Sequence, residues 1–294
     1  MKEKLSINMH GKICLVTGAT NGIGKETAQA LAHMGATVVI VGRNAPKTAQ
    51  LAAEIRAATG NNKVDSLLAD LSSQQEVRRL ADEFKSKYAQ LHVLINNAGG
   101  FFMKRELSVD GIEMTFALNH LAYFLLTNLL LDTLKASAPA RIINVASGAH
   151  TSGKIEFDNL QGERGYTPKA YNNSKLANIL FTTELARRLE GSGVTANALH
   201  PGFVATGFAK NNGRIIAALV SIFMPLLARS PAKGAETSIF LASSPNVEGI
   251  SGKYFYDSQV IAPAPQATDN VVARKLWDVS AAMVHLADDL PAKS

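Results

Sequence analysis

Thr17-Gly18-Ala19-Thr20-Asn21-Gly22-Ile23-Gly24 is the stretch on which the reading of this chain turns. It follows a short apolar run, Ile13–Val16, and opens a segment of helical spacing that Gly35 closes. Glycines at such a strand-to-helix turn let the backbone bend tightly, approach a phosphate and pack helix against strand. The free N–H groups and the positive end of the helix dipole then favour an anion. A glycine triple alone is a weak signal. Its place after the first strand and before the first helix makes it a nucleotide-binding turn, with Gly18, Thr20, Asn21, Gly22, Ile23 and Gly24 as candidate contacts.

Outward from this turn the same rhythm repeats. Thr37–Val41, Val64–Leu68, Val93–Ile95, Arg141–Val145 and Val194–Leu199 are apolar runs without polar alternation, as expected of strands buried on both faces. Helical segments lie between them. Gly60 ends the one after Asn44, Ser73 with Glu76 forms a capping box before Val77–Tyr88, and Ser230-Pro231 starts another. The pattern predicts an α/β fold: a doubly wound parallel sheet of the Rossmann type, in one domain spanning residues 1–294. A late strand near Tyr254–Tyr256 is expected at the sheet edge, and a long apolar helix over Leu118–Leu134. Residues 206–229 break the rhythm and read as a helical insertion, a lid over the substrate site.

Composition excludes several classes of function. The 294 residues are 47% hydrophobic and 18% charged, which rules out disorder as the main state. The single cysteine, Cys14, excludes a disulfide scaffold and favours a reducing, cytoplasmic setting. The net charge of +6 comes from scattered Lys and Arg, so no nucleic-acid footprint is expected. Residues 1–12 have no signal-peptide core. Ile215–Ala228 is interrupted by Pro225 and falls short of the roughly 20 apolar residues a bilayer span needs, so no transmembrane anchor is expected; packing on the core or a partner subunit and peripheral membrane contact stay open there beside a lid. The histidines, among them His92, His120, His150 and His200, lack metal-ligand spacing, so no metal is expected.

The end of the second strand addresses the choice of dinucleotide. An acidic residue about 20 positions past the glycines would accept from the 2′-hydroxyl of NAD. Here Gly42-Arg43 stands instead, with Lys47 one turn on. A guanidinium offers a planar fork of donors to a 2′-phosphate, so NADP(H) is expected. Asp70 and Leu71, after the third strand, would flank the adenine.

Three further motifs occur in order: Asn96-Asn97-Ala98-Gly99, Tyr171-Asn172-Asn173-Ser174-Lys175 and Pro201-Gly202. With the glycine turn they resemble the classical short-chain dehydrogenase/reductase family over nearly the whole chain. Asn119-His120-Leu121, Asn144-Val145-Ala146-Ser147 and His200-Pro201-Gly202 resemble its retinol-dehydrogenase-like branch. The chemistry can also be argued directly. Tyr171 and Lys175 are four apart on a helix and share a face, and a nearby ammonium lowers a phenol pKa from about 10 towards the working range. Tyr171 would pass a proton to the substrate oxygen. Ser147 would hydrogen-bond that oxygen as charge develops on it.

The resemblance implies more. Lys175 would hold the nicotinamide ribose, and Asn119 a relay that reprotonates Tyr171. Asn97, Ala98, Gly99, Pro201, Gly202, Val204 and Thr206 would join Tyr171 and Lys175 as cofactor contacts. One departure is the 24-residue spacing from Ser147 to Tyr171 (171 − 147), about twice the family's usual distance, which leaves Ser147 usable only if the extra residues loop away.

The implied activity is hydride transfer between NADP(H) and a hydrophobic aldehyde, ketone or alcohol, retinal-like, lipid or aromatic. Apolar residues of the insertion, with Phe101, Phe102 and Met103 across the cleft, would shape the pocket. Trp277 is expected to pack or to close it. Two alternatives stay open: reduction of a ring double bond in a pigment- or quinone-like substrate, and nucleotide sensing with residual redox activity. A homo-oligomer is compatible with the apolar helix.

Overall fold

Alternate residues of the first two strands feed two separate cores, which is why these runs carry no polar alternation. The computed structural model describes residues 7–204 and 228–286. Strands β1 (Ile13–Thr17) and β2 (Thr37–Gly42) pair in parallel, Cys14 beside Val38 and Val16 beside Ile40. Cys14, Val16, Val38 and Ile40 pack with Leu31, Leu51 and Leu241 on one side of the sheet. Leu15, Val39 and Val41 pack with Phe84, Phe124 and Phe181 on the other. Burying each such side chain contributes about 1.5–3 kcal/mol before entropy is counted.

The helices divide accordingly. On the first side lie α1 (Gly22–His33), α2 (Ala45–Thr59) and α8 (Pro231–Ser243). On the second lie α3 (Gln74–Lys87), α5 (Ala122–Leu129), α7 (Lys169–Arg188) and α9 (Asn270–Met283). Trp277 of α9 stacks against Phe124 and Phe181, so it packs the core.

The sheet has eight strands in the order β3-β2-β1-β4-β5-β6-β7-β8. β3 is Val64–Leu68, β4 Val93–Asn96, β5 Ala140–Val145 and β6 Val194–Leu199, matching the six expected strands to within a residue. The order reverses between β1 and β4, which opens a crevice beyond their carboxyl ends, where such sheets take ligands.

Three local expectations need correction. β7 (Tyr254–Tyr256) pairs with β6 in parallel but is not the edge, because β8 (Gln259–Ile261) folds back against it. Their two-residue turn, Asp257-Ser258, has φ of 47° and 62°, the left-handed pair that closes a tight hairpin. The Ser73 hydroxyl caps α3 by accepting from the Glu76 N–H, whereas the Glu76 carboxylate turns outward to Arg79, so half of the capping box forms.

The apolar helix expected over Leu118–Leu134 is interrupted twice. After the short α4 (Met114–Phe116), Ala117–Leu121 forms a π turn in which the Ala122 N–H reaches back to Ala117. A second break at Leu130 separates α5 from α6 (Leu131–Ala136). The π turn frees the Asn119 carbonyl, which accepts from the Asn178 side chain at 2.9 Å.

Candidate active site

At the end of β1 the chain packs backbone on backbone. A Cβ on Gly18 (φ 62°) would lie 2.6 Å from the Ala98 Cα, and one on Gly24 would lie 2.6 Å from the Gly18 oxygen. Asn97 Nδ2 donates to the carbonyls of Thr17 and Gly18, at 2.8 and 3.1 Å. Thr17 Oγ1 accepts from the Asn97 and Ala98 N–H groups at 2.9 and 3.1 Å. The Asn96–Gly99 motif therefore clamps the β4 end to the β1 turn.

The first turn of α1 has no acidic residue, and Asn21 provides no side-chain cap. Its N–H groups have no intrahelical partners, and Asn21, Ile23 and Gly24 line the cleft beside them. This cradle fits a dinucleotide phosphate bridge: it is glycine-lined, electropositive and free of carboxylate in the turn itself. Gly22 shapes the turn at φ 54° without lining the cleft.

The cleft holds about 640 Å³ and runs from this cradle along the carboxyl edge of the sheet. Arg43 lines it at the end of β2, exposed, with no ion-pair partner among the described residues. Asp70 and Leu71 also line it. Asp70 Oδ1 accepts from the N–H and hydroxyl of Ser72 at 3.0 and 2.7 Å, so its carboxylate also holds a turn. Ala98 and Gly99 join Asn97 on the wall, and Pro201, Gly202 and Val204 close the far side.

At that far side stand Ser147, Tyr171 and Lys175. Ser147 follows β5, and its hydroxyl accepts from the Ala149 N–H at 3.2 Å and hydrogen-bonds Tyr171. Lys175 Nζ donates to the Val145 carbonyl at 3.0 Å and stands 5.7 Å from the ring centres of both Tyr171 and Tyr123. Burial pushes the Lys175 ammonium down to about 8. Burial likewise pushes the Tyr171 phenol up, and the hydrogen bond with Ser147 opposes that shift. The phenol is therefore raised, where a lowering by the Lys175 ammonium was expected, because desolvation by burial is the larger influence. Phe101 presents its ring edge to Tyr171 at 5.7 Å, which makes the local wall apolar.

Asn119 is fully buried behind this wall and does not line the cleft. Its Oδ1 accepts from the Gly100 N–H at 2.8 Å, and its Nδ2 donates to the Gly100 carbonyl and the Ser174 hydroxyl at 2.9 and 3.1 Å. It ties the β4 end to the helix that carries Tyr171.

The long connection from Ser147 to Tyr171 does loop away. Gly148–Ser152 is a 3-10 turn, and the rest is fastened sideways: Arg105 Nε donates to the Gln161 carbonyl, and the Tyr166 hydroxyl to that of Phe102, both at 2.8 Å. Ser147 stays on the cleft wall.

A row of rings beside Ser147 is absent from the motif-based reading. Arg229 stacks on Tyr256 at 4.8 Å, and Tyr256 lies flat on His200 at 4.1 Å. His200 faces Tyr254 at 5.6 Å, and Tyr254 meets His150 edge-on at 5.0 Å. His200 and Tyr256 line the cleft. Burial, with the Arg229 guanidinium nearby, lowers His200 to about 4, so it is neutral. The one sequence signal was the position of His200 directly before Pro201-Gly202.

Thr206 and the apolar residues from Ile215 to Leu227 lie outside the described residues. The two flanks of that stretch meet: Val204 and Arg229 form a parallel bridge, and the Arg229 N–H donates to Phe203 at 2.8 Å. Among the described residues there is no cluster able to hold a metal, and no helix is long and apolar enough to cross a membrane.

Comparison with known proteins agrees with this geometry. A family model described as short chain dehydrogenase matches residues 12–215. Retinol dehydrogenase 11 from Homo sapiens is 45% identical over 287 residues, covering 97% of this chain and 89% of its own. The crystal structure of an uncharacterized protein from Mycobacterium Paratuberculosis superposes with a TM-score of 0.78 at 31% identity, covering 97% of each chain. The RhlG/NADP active-site complex from Pseudomonas aeruginosa gives 0.68 at 29% identity, covering 85% of this chain and 96% of that one.

Proposed function

The chain belongs to the short chain dehydrogenase family, and from that premise we propose that it transfers hydride between NADP(H) and a hydrophobic aldehyde, ketone or alcohol. One observation carries the reading: the Ser147–Tyr171 hydrogen bond beside Lys175 lies at the far end of the cleft that the glycine turn opens. Neither ring reduction nor nucleotide sensing is favoured by any feature of this cleft.

NADPH, when bound, supplies the hydride. The cradle of Gly18, Thr20, Asn21, Ile23 and Gly24 holds its phosphates, shaped by Gly22, and Arg43 with Lys47 faces the 2′-phosphate. Asp70 and Leu71 flank the adenine, and Asn97, Ala98 and Gly99 the adjoining ribose. Pro201, Gly202 and Val204 lie on the nicotinamide side. Ser147 donates a hydrogen bond to the substrate oxygen, where negative charge develops. Tyr171, protonated at neutral pH as a phenol is and raised further by burial, gives its hydroxyl proton to that oxygen. Lys175 holds the ribose hydroxyls and, as an ammonium, stabilises the resulting phenolate. Asn119 fixes the spacing between the β4 end and α7 that these contacts require.

The NADP complex of the Pseudomonas aeruginosa structure supports the choice of cofactor, and the retinol dehydrogenases among the relatives put retinal at the head of a substrate panel. We assign residues 206–229 as a lid within a single domain. Its support is the Val204–Arg229 bridge, which sets both flanks at the cleft rim. The test is oxidation of NADPH against NADH by the purified protein with hydrophobic aldehydes and ketones, including retinal. Turnover that prefers NADPH and is lost in Tyr171→Phe supports the reading. A preference for NADH overturns the role of Arg43, and no turnover with any carbonyl overturns the activity.

A further inference from the structure

His150 makes no contact with the cleft, yet it touches the backbone of the residue on which the proposed chemistry depends. Its ring is 3% exposed. Nδ1 lies 2.8 Å from the Ser147 carbonyl oxygen, and Nε2 lies 3.1 Å from the Ala264 N–H. A carbonyl can only accept and an amide N–H can only donate, so this pair of neighbours fixes one tautomer: neutral, with the proton on Nδ1. Burial favours the same neutral form. The Tyr254 hydroxyl reinforces the arrangement, 3.3 Å from Nδ1 and donating to the Ser147 carbonyl at 3.5 Å.

The fastening has two ends. Gln266 Nε2 donates to the Thr151 carbonyl at 2.9 Å and reaches those of His150 and Gly153 at 3.4 Å. Residues 264–266 therefore grip the 3-10 turn that follows Ser147. Within the turn the His150 N–H donates to the Ser147 carbonyl at 3.2 Å, and the His150 ring, at 2.8 Å from the same oxygen, is the shorter link that carries that grip to Ser147. Ser147 stands at the junction of β5 and an unusually long connection, so the direction of its hydroxyl depends on how its carbonyl and the following turn are held.

We propose that His150 is a positioning residue for Ser147: its Nδ1–H holds the Ser147 carbonyl while Nε2 is anchored on Ala264, which aims the serine hydroxyl at the substrate oxygen. The inference rests on the proposed role of Ser147. It differs from a purely structural role in a specific way. The donor half of the ring acts on Ser147, and the acceptor half only anchors the ring.

The two halves separate in two variants. His150→Asn keeps an amide N–H near Nδ1 and loses the Ala264 acceptor. His150→Gln reaches towards Ala264 and loses the donor at the Ser147 carbonyl. With NADPH and a carbonyl that the wild type reduces, kcat is expected to fall about ten-fold or more in His150→Gln, with NADPH Kd unchanged, and to recover largely in His150→Asn. Gln266→Ala, which loosens the same turn without touching Ser147, should keep the wild-type kcat. Equal loss in all three variants, tracking their Tm, or an unchanged kcat in His150→Gln overturns the proposal. Tyr254→Phe provides a second reading should the His150 variants not fold: a lower kcat at unchanged NADPH Kd supports the carbonyl anchor, and no change overturns it. Ser147→Ala is measured alongside. If it keeps the wild-type kcat, the proposed role of Ser147 fails. If it is impaired while His150→Gln is not, only the role of His150 fails.

Discussion

The Lys175 ammonium, itself buried, stands 5.7 Å from the centre of the half-buried Tyr171 ring on the cleft wall, so both groups lose much of their solvent at one place. Desolvation drives the phenol up and the ammonium down, and each shift favours the neutral form.

Replacing Tyr171 with Phe removes one oxygen and leaves the apolar wall with Phe101 intact. Carbonyl reduction should fall by about 10²–10⁴-fold, the usual scale for loss of a general acid. NADPH binding, followed by fluorescence titration, should stay within a few-fold of wild type.

The Lys175 shift gives a pH limb with a definite sign. Reduction uses the ammonium, so kcat/KM for NADPH should decline as pH rises through about 8, and Lys175→Arg should lack that limb. Stability moves the other way. The unfolded chain binds this proton up to the ordinary lysine value of 10.5, the folded one only to about 8. Unfolding free energy should therefore gain roughly 3 kcal/mol between those pH values relative to Lys175→Met, read from urea titrations at each pH.

Arg43 is the charged fork at the adenosine end of the cleft. Arg43→Ala should raise the KM for NADPH by roughly ten- to hundred-fold, the value of charge-assisted hydrogen bonds to a phosphate, and leave NADH nearly unaffected. Steady-state kinetics with both cofactors at one carbonyl concentration decides it.

Glu184 is buried on α7 between two guanidiniums, 2.8 Å from Arg187 and 2.7 Å from Arg188. Arg188 is itself buried and stacks on Trp277 at 4.2 Å. Glu184→Ala takes the nearest carboxylate away from that buried cation, while Asp278 stands 3.9 Å away. A loss of roughly 3 kcal/mol in urea unfolding is expected, with the residual folded protein still binding NADPH.

The parts of the fold legible in the sequence were those where a single periodicity dominates. Strands such as Thr37–Val41 are buried on both faces and read as unbroken apolar runs. β7 was expected, but β8 and the turn that leads to it escaped, because β8 is three residues long and the turn is Asp257-Ser258, with none of the glycine that marks such turns. The π turn at Asn119 escaped because the partner of its freed carbonyl, the Asn178 amide, lies 59 residues away. The cleft residues were legible where backbone shape demands a residue type, as at Gly18 and Gly24. His150 was not, because nothing local shows that a ring nitrogen will meet both Ser147 and Ala264.

The bridge between Val204 and Arg229 has a consequence for how such a chain can change. A segment whose two flanks are already clamped side by side can be exchanged for one of another length at little cost to the sheet, since doubling a loop adds only about 0.6 kcal/mol of closure entropy. On the proposed assignment, the stretch that would choose the carbonyl joins the rest of the chain at one clamped pair, Val204 and Arg229. New preferences can be acquired by rewriting residues 205–228 while β1, β5 and α7 stay as they are.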